Sequence, residues 1–458
     1  MDSLPQSSLE EQIDQWRSYL RRRQAIHSVD VAELEDHLRE QVGNLVEAGL
    51  DTDEAFLVAV KRMGSLDTLS REFAREHSDR LWKQLVVPPT GSAATDRATA
   101  RDGIVAFGLA VCAAVLVKLP ILFGITLDGT PAHESFYVRN AAFFVLPLLT
   151  GYFAWKRQLD VRTIRWLGLG FLASVVVMNS YPFGPGNTTL ALSALHLPIA
   201  LWLLVGVAYA GGRWGQSAGR MDFIRFSGEL FIYYALIAMG GGVLTAFLMA
   251  TFQSIGIDPE HFFGNWLLPC GATGAVLVAS WLVEAKQSVI ENMAPVLTRL
   301  FTPLFAALLV AFLTALLVTG RGINVERELL ILFDALLIVV LALLLYSISA
   351  RDADAPPGLF DAVQLVLVVG ALLANGVALW AMVDRIAAMG FTPNRTAALG
   401  MNLILIVNLA WSAVLSLRFL RRRGSLAALE RWQTGYLPVY AAWAAIVVVV
   451  FPLVFGFI

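Results

Sequence analysis

Charge is scarce in this chain: Asp, Glu, Lys and Arg together make up 15% of its 458 residues, against roughly a quarter in soluble globular domains. So few charges cannot dress a water-facing surface of this size. Cysteine is scarcer still, with Cys112 and Cys270 alone. Both lie in apolar stretches where a thiol behaves as a small hydrophobe, so neither a disulfide framework nor a thiolate metal site is indicated. The first hundred residues lack a basic segment leading into an apolar core, the mark of a cleavable secretory signal, and the amino end is expected to stay where it is made. No G-x-x-x-x-G-K-[ST] loop is present to cradle nucleotide phosphates, which excludes a built-in ATPase. The histidines are scattered and form no zinc motif, and no nucleophile with a base in reach stands out. The expectation is a non-enzymatic protein without a cofactor.

What is abundant is apolar surface, at 57% hydrophobic residues and a mean hydropathy of +0.65. The bilayer must be the solvent. The formal charge of −2 divides unevenly, since residues 1–101 carry 13 Lys/Arg against 18 Asp/Glu and the remainder 21 against 18. An acidic amino-terminal part is repelled by nucleic acid and by anionic headgroups, which leaves a protein as its expected partner. The expected fold class is all-α: a cytoplasmic helical bundle over residues 1–85, a linker over 86–101, and a polytopic helical membrane domain over 102–458.

Helical periodicity is clear in the first part. Leu9, Ile13, Trp16 and Leu20 share one face, and Val31, Leu34, Leu38, Val42 and Leu45 another. Gly49 suits the left-handed stop of the second helix, and Thr52 the cap of a third that carries Ala55, Phe56, Ala59, Val60 and Met63. Gly64 and Ser65 repeat the stop and start before a fourth helix with Leu66, Leu69 and Phe73. Pro88, Pro89 and Gly91 mark the linker. The run Leu34-Glu35-x-His37-Leu38-x-Glu40, then Gly49-Leu50-x-x-Asp53-Glu54-Ala55, Ala59-x-x-Arg62-Met63-Gly64 and Leu69-x-x-Glu72-Phe73 resembles the permease prefix domain, also seen in signalling proteins of the HAAS type. That resemblance implies a cytoplasmic regulatory or partner-binding module on a bacterial membrane protein, and no chemistry.

A membrane helix needs about 20 apolar residues to cross roughly 30 Å of hydrocarbon. Eleven windows qualify, near 103–125, 137–155, 164–183, 190–210, 226–252, 262–283, 299–320, 327–347, 359–383, 396–420 and 436–458. With a cytoplasmic amino end, the even-numbered connections and their flanks hold 15 Lys/Arg, including Lys156, Arg157, Arg225, Arg351 and the run Arg421-Arg422-Arg423. The odd ones hold five, Arg139, Arg321, Arg327, Arg385 and Arg395. This is the bias of a positive-inside protein of the inner membrane, and the parity places Ile458 outside.

Pro120, Pro147, Pro198, Pro269 and Pro303 fall inside spans, and the fifth span carries Gly240-Gly241-Gly242, read as close packing or a kink. Ionisable groups in hydrocarbon are costly, which makes them the first candidates for function. At 1.5 Å per residue, Lys118, His196 and Asp334 each lie on the order of 10 Å below the outer edge of the hydrocarbon. Asn179, Asn375 and Asn402 fall in the same outer half, whereas Glu229 and Glu284 sit near enough to the cytoplasmic boundary to reach headgroups. The expectation is an outward cavity lined by Lys118, His196 and Asp334, with Lys118 and Asp334 able to pair. The bland alternative has Lys118 snorkelling, His196 bonded to a carbonyl and Asp334 paired elsewhere.

Between the ninth and tenth spans, Gly390 suits a helix stop, Thr392 a cap and Pro393 a first helical position. The segment Arg385-Ile386-Ala387-Ala388-Met389-Gly390-Phe391-Thr392-Pro393-Asn394-Arg395 resembles the Arg-Ile-x-x-Tyr-Gly-Leu-Thr-Pro-Asn-Arg signature of a bacterial family of polytopic membrane proteins of unknown function, with Met389 and Phe391 in place of Tyr and Leu. It implies an architecture and no activity. The sequence favours a regulatory or sensory membrane protein over a secondary transporter or a scaffold subunit. The reason is that a transporter needs a continuous polar path, and the cytoplasmic half of the spans reads as mostly apolar.

Overall fold

The computed structural model describes residues 9–10, 13, 28–62, 93–127, 129–285, 293–319, 327–351 and 355–458. The chain divides into two units, residues 1–97 and 98–458. In the first, α1 (Ser28–Glu47) and α2 (Thr52–Arg62) pack around Ile13, Leu38, Val42, Leu45, Ala55 and Ala59. Gly49 takes φ +98° and its N–H donates to Val46 O, closing α1 as expected. Asp51 stands just before α2, with its carbonyl accepting from Ala55 N–H at 2.8 Å, so Thr52 is the first helical residue and not the cap. Arg39 bridges Glu10 and Glu35 at 2.7 and 2.5 Å, which raises its already high pKa further. Trp16, Leu20 and the expected fourth helix lie outside the described residues.

In the second unit the described residues are helices joined by turns. Its elements are α3 (Ala93–Lys118), α4 (Pro131–Asn140), α5 (Leu146–Lys156), α6 (Val161–Ser180), α7 (Thr188–Ala210), α8 (Ser217–Ser254), α9 (Glu260–Ala285), α10 (Met293–Thr319), α11 (Arg327–Ser349), α12 (Leu359–Met389), α13 (Pro393–Leu420) and α14 (Leu426–Val449). Among the described residues, nine helices are long and apolar enough to cross a membrane. The other two windows are filled by α11, whose apolar stretch is Phe333–Ser349, and by a broken segment. There α4 passes through a 3-10 turn, Ala141–Phe144, into α5. Pro147 in the first turn of α5 explains the break, since its ring would collide with the carbonyl four residues back. The protein is thus a polytopic all-α membrane protein. Helix α3 starts inside the expected linker because Ala93 to Ala100 is rich in the best helix former.

Contacts between helix ends sort the connections onto two faces. At one end Lys156 meets Asp102 (3.2 Å) and Glu284 (3.1 Å), Arg157 meets Glu284 (3.0 Å), and the Arg157 guanidinium lies 5.1 Å over Tyr209. There too, Arg225 donates to Ser349 O, and Arg351 pairs with Asp361 beneath Phe419. At the far end Arg139 donates to Phe183 O, Tyr181 to Val449 O, and Thr189 N–H to Ile458 O at 2.8 Å. The second, fourth, eighth and tenth connections therefore meet at the basic end, and the first and third meet the carboxyl end at the far end. Glu284 is only 2% exposed in this cluster, and Glu229 is buried as well, so neither reaches headgroups as expected. At the basic end Asp160 caps α6, and the Thr163 hydroxyl and N–H hold its carboxyl below the usual range. That cap operates above the ordinary Asp pKa and is lost as pH falls through the lowered one.

Two cores form. One centres on Leu149, Phe153, Leu201, Tyr209, Phe226 and Leu277, the other on Leu309, Leu337, Leu344, Ala371 and Leu405. Helix α8 runs unbroken through Gly240-Gly241-Gly242, and nothing among the described residues lies within 4 Å of a Cβ built on any of the three, so no described neighbour is seated on them. Gly400 is the opposite case, since its Cβ would stand 2.0 Å from the Trp443 ring. Gly400→Ala is expected to cost about 1–3 kcal/mol by overpacking, while Gly241→Ala is neutral or mildly stabilising. Thermal melting of the two variants in detergent checks this, and equal midpoints would contradict the packing described.

Candidate functional site

Asp334 stands on α11 with its Oδ1 accepting from Asn402 Nδ2 of α13 at 2.8 Å. On α7, His196 Nδ1 lies 2.8 Å from Leu192 O. A carbonyl can only accept, so Nδ1 carries a proton, and in the neutral ring Nε2 then carries the lone pair. Both side chains face a cavity of about 610 Å³ between α7 and α11, floored by Ala397, Ala398 and Met401 of α13.

The turn joining α12 to α13 closes the far end of that cavity. Gly390 has φ +75°, a conformation that L side chains rarely adopt, and its N–H donates to Ile386 O. Thr392 Oγ1 accepts from Arg395 N–H, and Pro393 opens the helix. Arg395 Nη1 donates to Met389 O (3.2 Å) and Gly390 O (2.9 Å), tying the turn to the helix it begins. Arg385, Thr392, Asn394 and Arg395 line the same cavity as His196 and Asp334. Members of two groups singled out separately in the sequence therefore line one cavity.

Lys118 does not join them. Its ammonium lies 4.8 Å over the Trp266 ring, with no hydrogen-bond partner among the described residues. The expected Lys118–Asp334 pair is not made, because equal depth on separate helices does not bring side chains together. Asn402 holds Asp334 instead. The His196 carbonyl bond is the one the bland alternative expected, yet it leaves the ring on the cavity wall.

Sequence reasoning missed a second set of polar residues. Asn408, Ser412 and Gln433 are wholly buried toward the basic end, with Gln433 Nε2 donating to Asn408 Oδ1 (3.0 Å) and Ser412 Oγ (2.5 Å). On α12, Gln364 and Asn375 lie on the buried stripe Gln364, Val368, Ala371, Asn375, Ala378 and Met382. Its steps of four and three were the signal that these amides face inward. Asn402 Oδ1, both amide atoms of Asn375, Asn408 Nδ2, Gln433 Oε1 and Gln364 Nε2 have no hydrogen-bond partner among the described residues. The series begins beside the cavity at Asn402 and ends near Arg351 and Asp361, which share a small pocket with Gln364. The basic-end half of these mostly apolar spans thus carries buried amides that the expectation passed over.

No family model, curated protein or solved structure matches this chain. Both resemblances rest on their motif residues alone.

Asn402→Leu strips Asp334 of its donor and is expected to cost about 1–3 kcal/mol, most of it recovered when Asp334→Leu is added. Denaturation in mixed micelles of both single variants and the double measures the coupling. Simple additivity would mean that the bond does not matter.

Proposed function

We propose that this chain is a secondary transporter of the inner membrane, with its basic end and residues 1–85 in the cytoplasm and Ile458 outside. The observation that carries the reading is the series of buried, incompletely bonded amides on α12, α13 and α14, running from the cavity toward the Arg351–Asp361 pair. Transport needs polar groups through the whole thickness of the membrane, whereas sensing does not. The cavity is the entry site, and the broken second span fits a habit of transporters. The basic bias of the even connections supports the orientation. The protein acts by binding and conformational change, without a catalytic step or a cofactor.

Regulation remains a second reading, favoured by the separate core of the amino-terminal unit. In it, residues 1–85 hold a cytoplasmic protein and the spans report on the envelope. A scaffold subunit would show the same pull-down behaviour without responding to any ligand.

In a Cys112→Ala, Cys270→Ala background, single cysteines at Asn402 and Ser412 are expected to react with a cationic thiosulfonate, Asn402→Cys from outside and Ser412→Cys from the cytoplasmic side. Phe391→Cys, on the exposed turn, is the control. If only the control reacts, the series is sealed packing and the transporter reading falls. Affinity purification with and without residues 1–85 addresses the rival, which requires a specific protein to be lost on truncation.

A further inference from the structure

The basic end holds two kinds of cation. Lys156 and Arg157 meet Glu284, Arg213 meets Asp222 at 3.5 Å, Arg225 donates to Ser349 O, and Arg351 pairs with Asp361. Each of these holds one part of the protein to another. Arg418, Arg421 and Arg423, at the close of α13, do not. All three are exposed, and among the described residues none makes an ion pair or a side-chain hydrogen bond. Arg418 has only the Trp411 ring, whose centroid lies 5.9 Å from its guanidinium carbon.

The backbone gathers the three. Arg422 takes φ +54°, the left-handed conformation that usually falls to glycine after a helix, and the Arg423 N–H returns to Arg418 O at 2.8 Å. The turn doubles back so closely that a Cβ added to Gly424 would stand 3.2 Å from the Arg418 Cβ. Arg418, Arg421 and Arg423, with Val414 and Leu417, line a pocket of about 310 Å³.

Residues spaced by three and four share a helix face, and along this one Val407, Trp411, Val414 and Leu417 are exposed. Between Val407 and Leu417 the helix rises about 15 Å, half of the roughly 30 Å of hydrocarbon. A lipid-facing apolar stripe as deep as one leaflet therefore ends in three guanidiniums. The connection after α11 reaches α13 on its other side, where Arg351 lies over Phe419 and shares a pocket with Ser416. Guanidiniums bind phosphate through paired N–H donors. A choline or ethanolamine headgroup brings a cation of its own toward the cluster, so the pocket favours a headgroup of net negative charge.

We propose that this pocket binds an anionic phospholipid of the leaflet at the basic end, its phosphate held by Arg418, Arg421 and Arg423 and an acyl chain lying along Leu417, Val414 and Trp411. The lipid grips the helix that also carries Asn402, Asn408 and Ser412. Its binding requires neither transport nor sensing, and so stands apart from the role of the outer cavity.

The test is native mass spectrometry of the full chain in detergent, titrated with dioleoyl phosphatidylglycerol or dioleoyl phosphatidylcholine. The first phosphatidylglycerol should bind about tenfold or more tightly than the first phosphatidylcholine. Arg418→Gln with Arg421→Gln should erase that preference, while Arg162→Gln with Arg165→Gln, which removes the same charge from α6 at the same end, should leave it. Excess glycerol 3-phosphate should not displace the lipid. A second measurement needs no arginine variant. In phosphatidylcholine nanodiscs holding a small fraction of brominated phosphatidylglycerol, the fluorescence of Trp411, read as the difference between wild type and Trp411→Phe, should be quenched more than by the same fraction of brominated phosphatidylcholine. Absence of a headgroup preference, an equal loss in the α6 double variant, displacement by glycerol 3-phosphate, or equal quenching by the two brominated lipids would each overturn the site.

Discussion

Hydrocarbon offers no hydrogen-bond partner, so a polar side chain taken into the membrane must find its partner inside the protein. Much of the membrane unit can be understood from that constraint. Glu284 is tolerable where it lies because Lys156 and Arg157 reach it together, and Lys156 extends the cluster to Asp102. Asn140 and Asn179 exchange amide bonds at 3.1 and 3.0 Å, holding the broken second span against the third. Asp334 survives through Asn402. Where side chains are fully met, the polar groups act as fasteners. Where amides remain incompletely met, as at Asn375 and Asn408, fastening alone does not account for them, and the functional reading attaches there.

The crossings were legible in the sequence because about 20 apolar residues is a length set by the bilayer and by helix rise, both independent of tertiary structure. The break in the second span was only half legible. Pro147 announced a disturbance, but a proline within a span kinks one helix and ends another, as Pro198 inside α7 shows by leaving that helix continuous. Depth can be reckoned too, and helix rise alone puts Lys118, His196 and Asp334 at one level. Depth is one coordinate of three. Which helices stand side by side depends on packing that no single span encodes, and so His196 and Asp334 share a cavity while Lys118 lies on Trp266.

The turn after α12 shows the same division. Gly390, Thr392 and Pro393 specify a stop, a cap and a start by local backbone chemistry, and each occupies the position its chemistry favours. That the turn folds over His196 and Asp334 is a tertiary fact. Asn375 and Asn402 were noted for their depth, but Gln364, Asn408 and Gln433 were missed because attention went to charge, whereas amides become conspicuous only when the helical stripe they occupy is traced residue by residue.

The two cores have a temporal side. The first draws almost wholly on residues before α10, and the second mainly on those from α10 onward. Yet Val448 of α14 belongs to the first, while Leu429 and Leu437 of the same helix belong to the second. A chain emerging from the ribosome amino end first can assemble the earlier half while the later one is still being translated. The final long helix then adds a clasp to the contacts that α8 already makes with α11, such as Arg225 on Ser349 O.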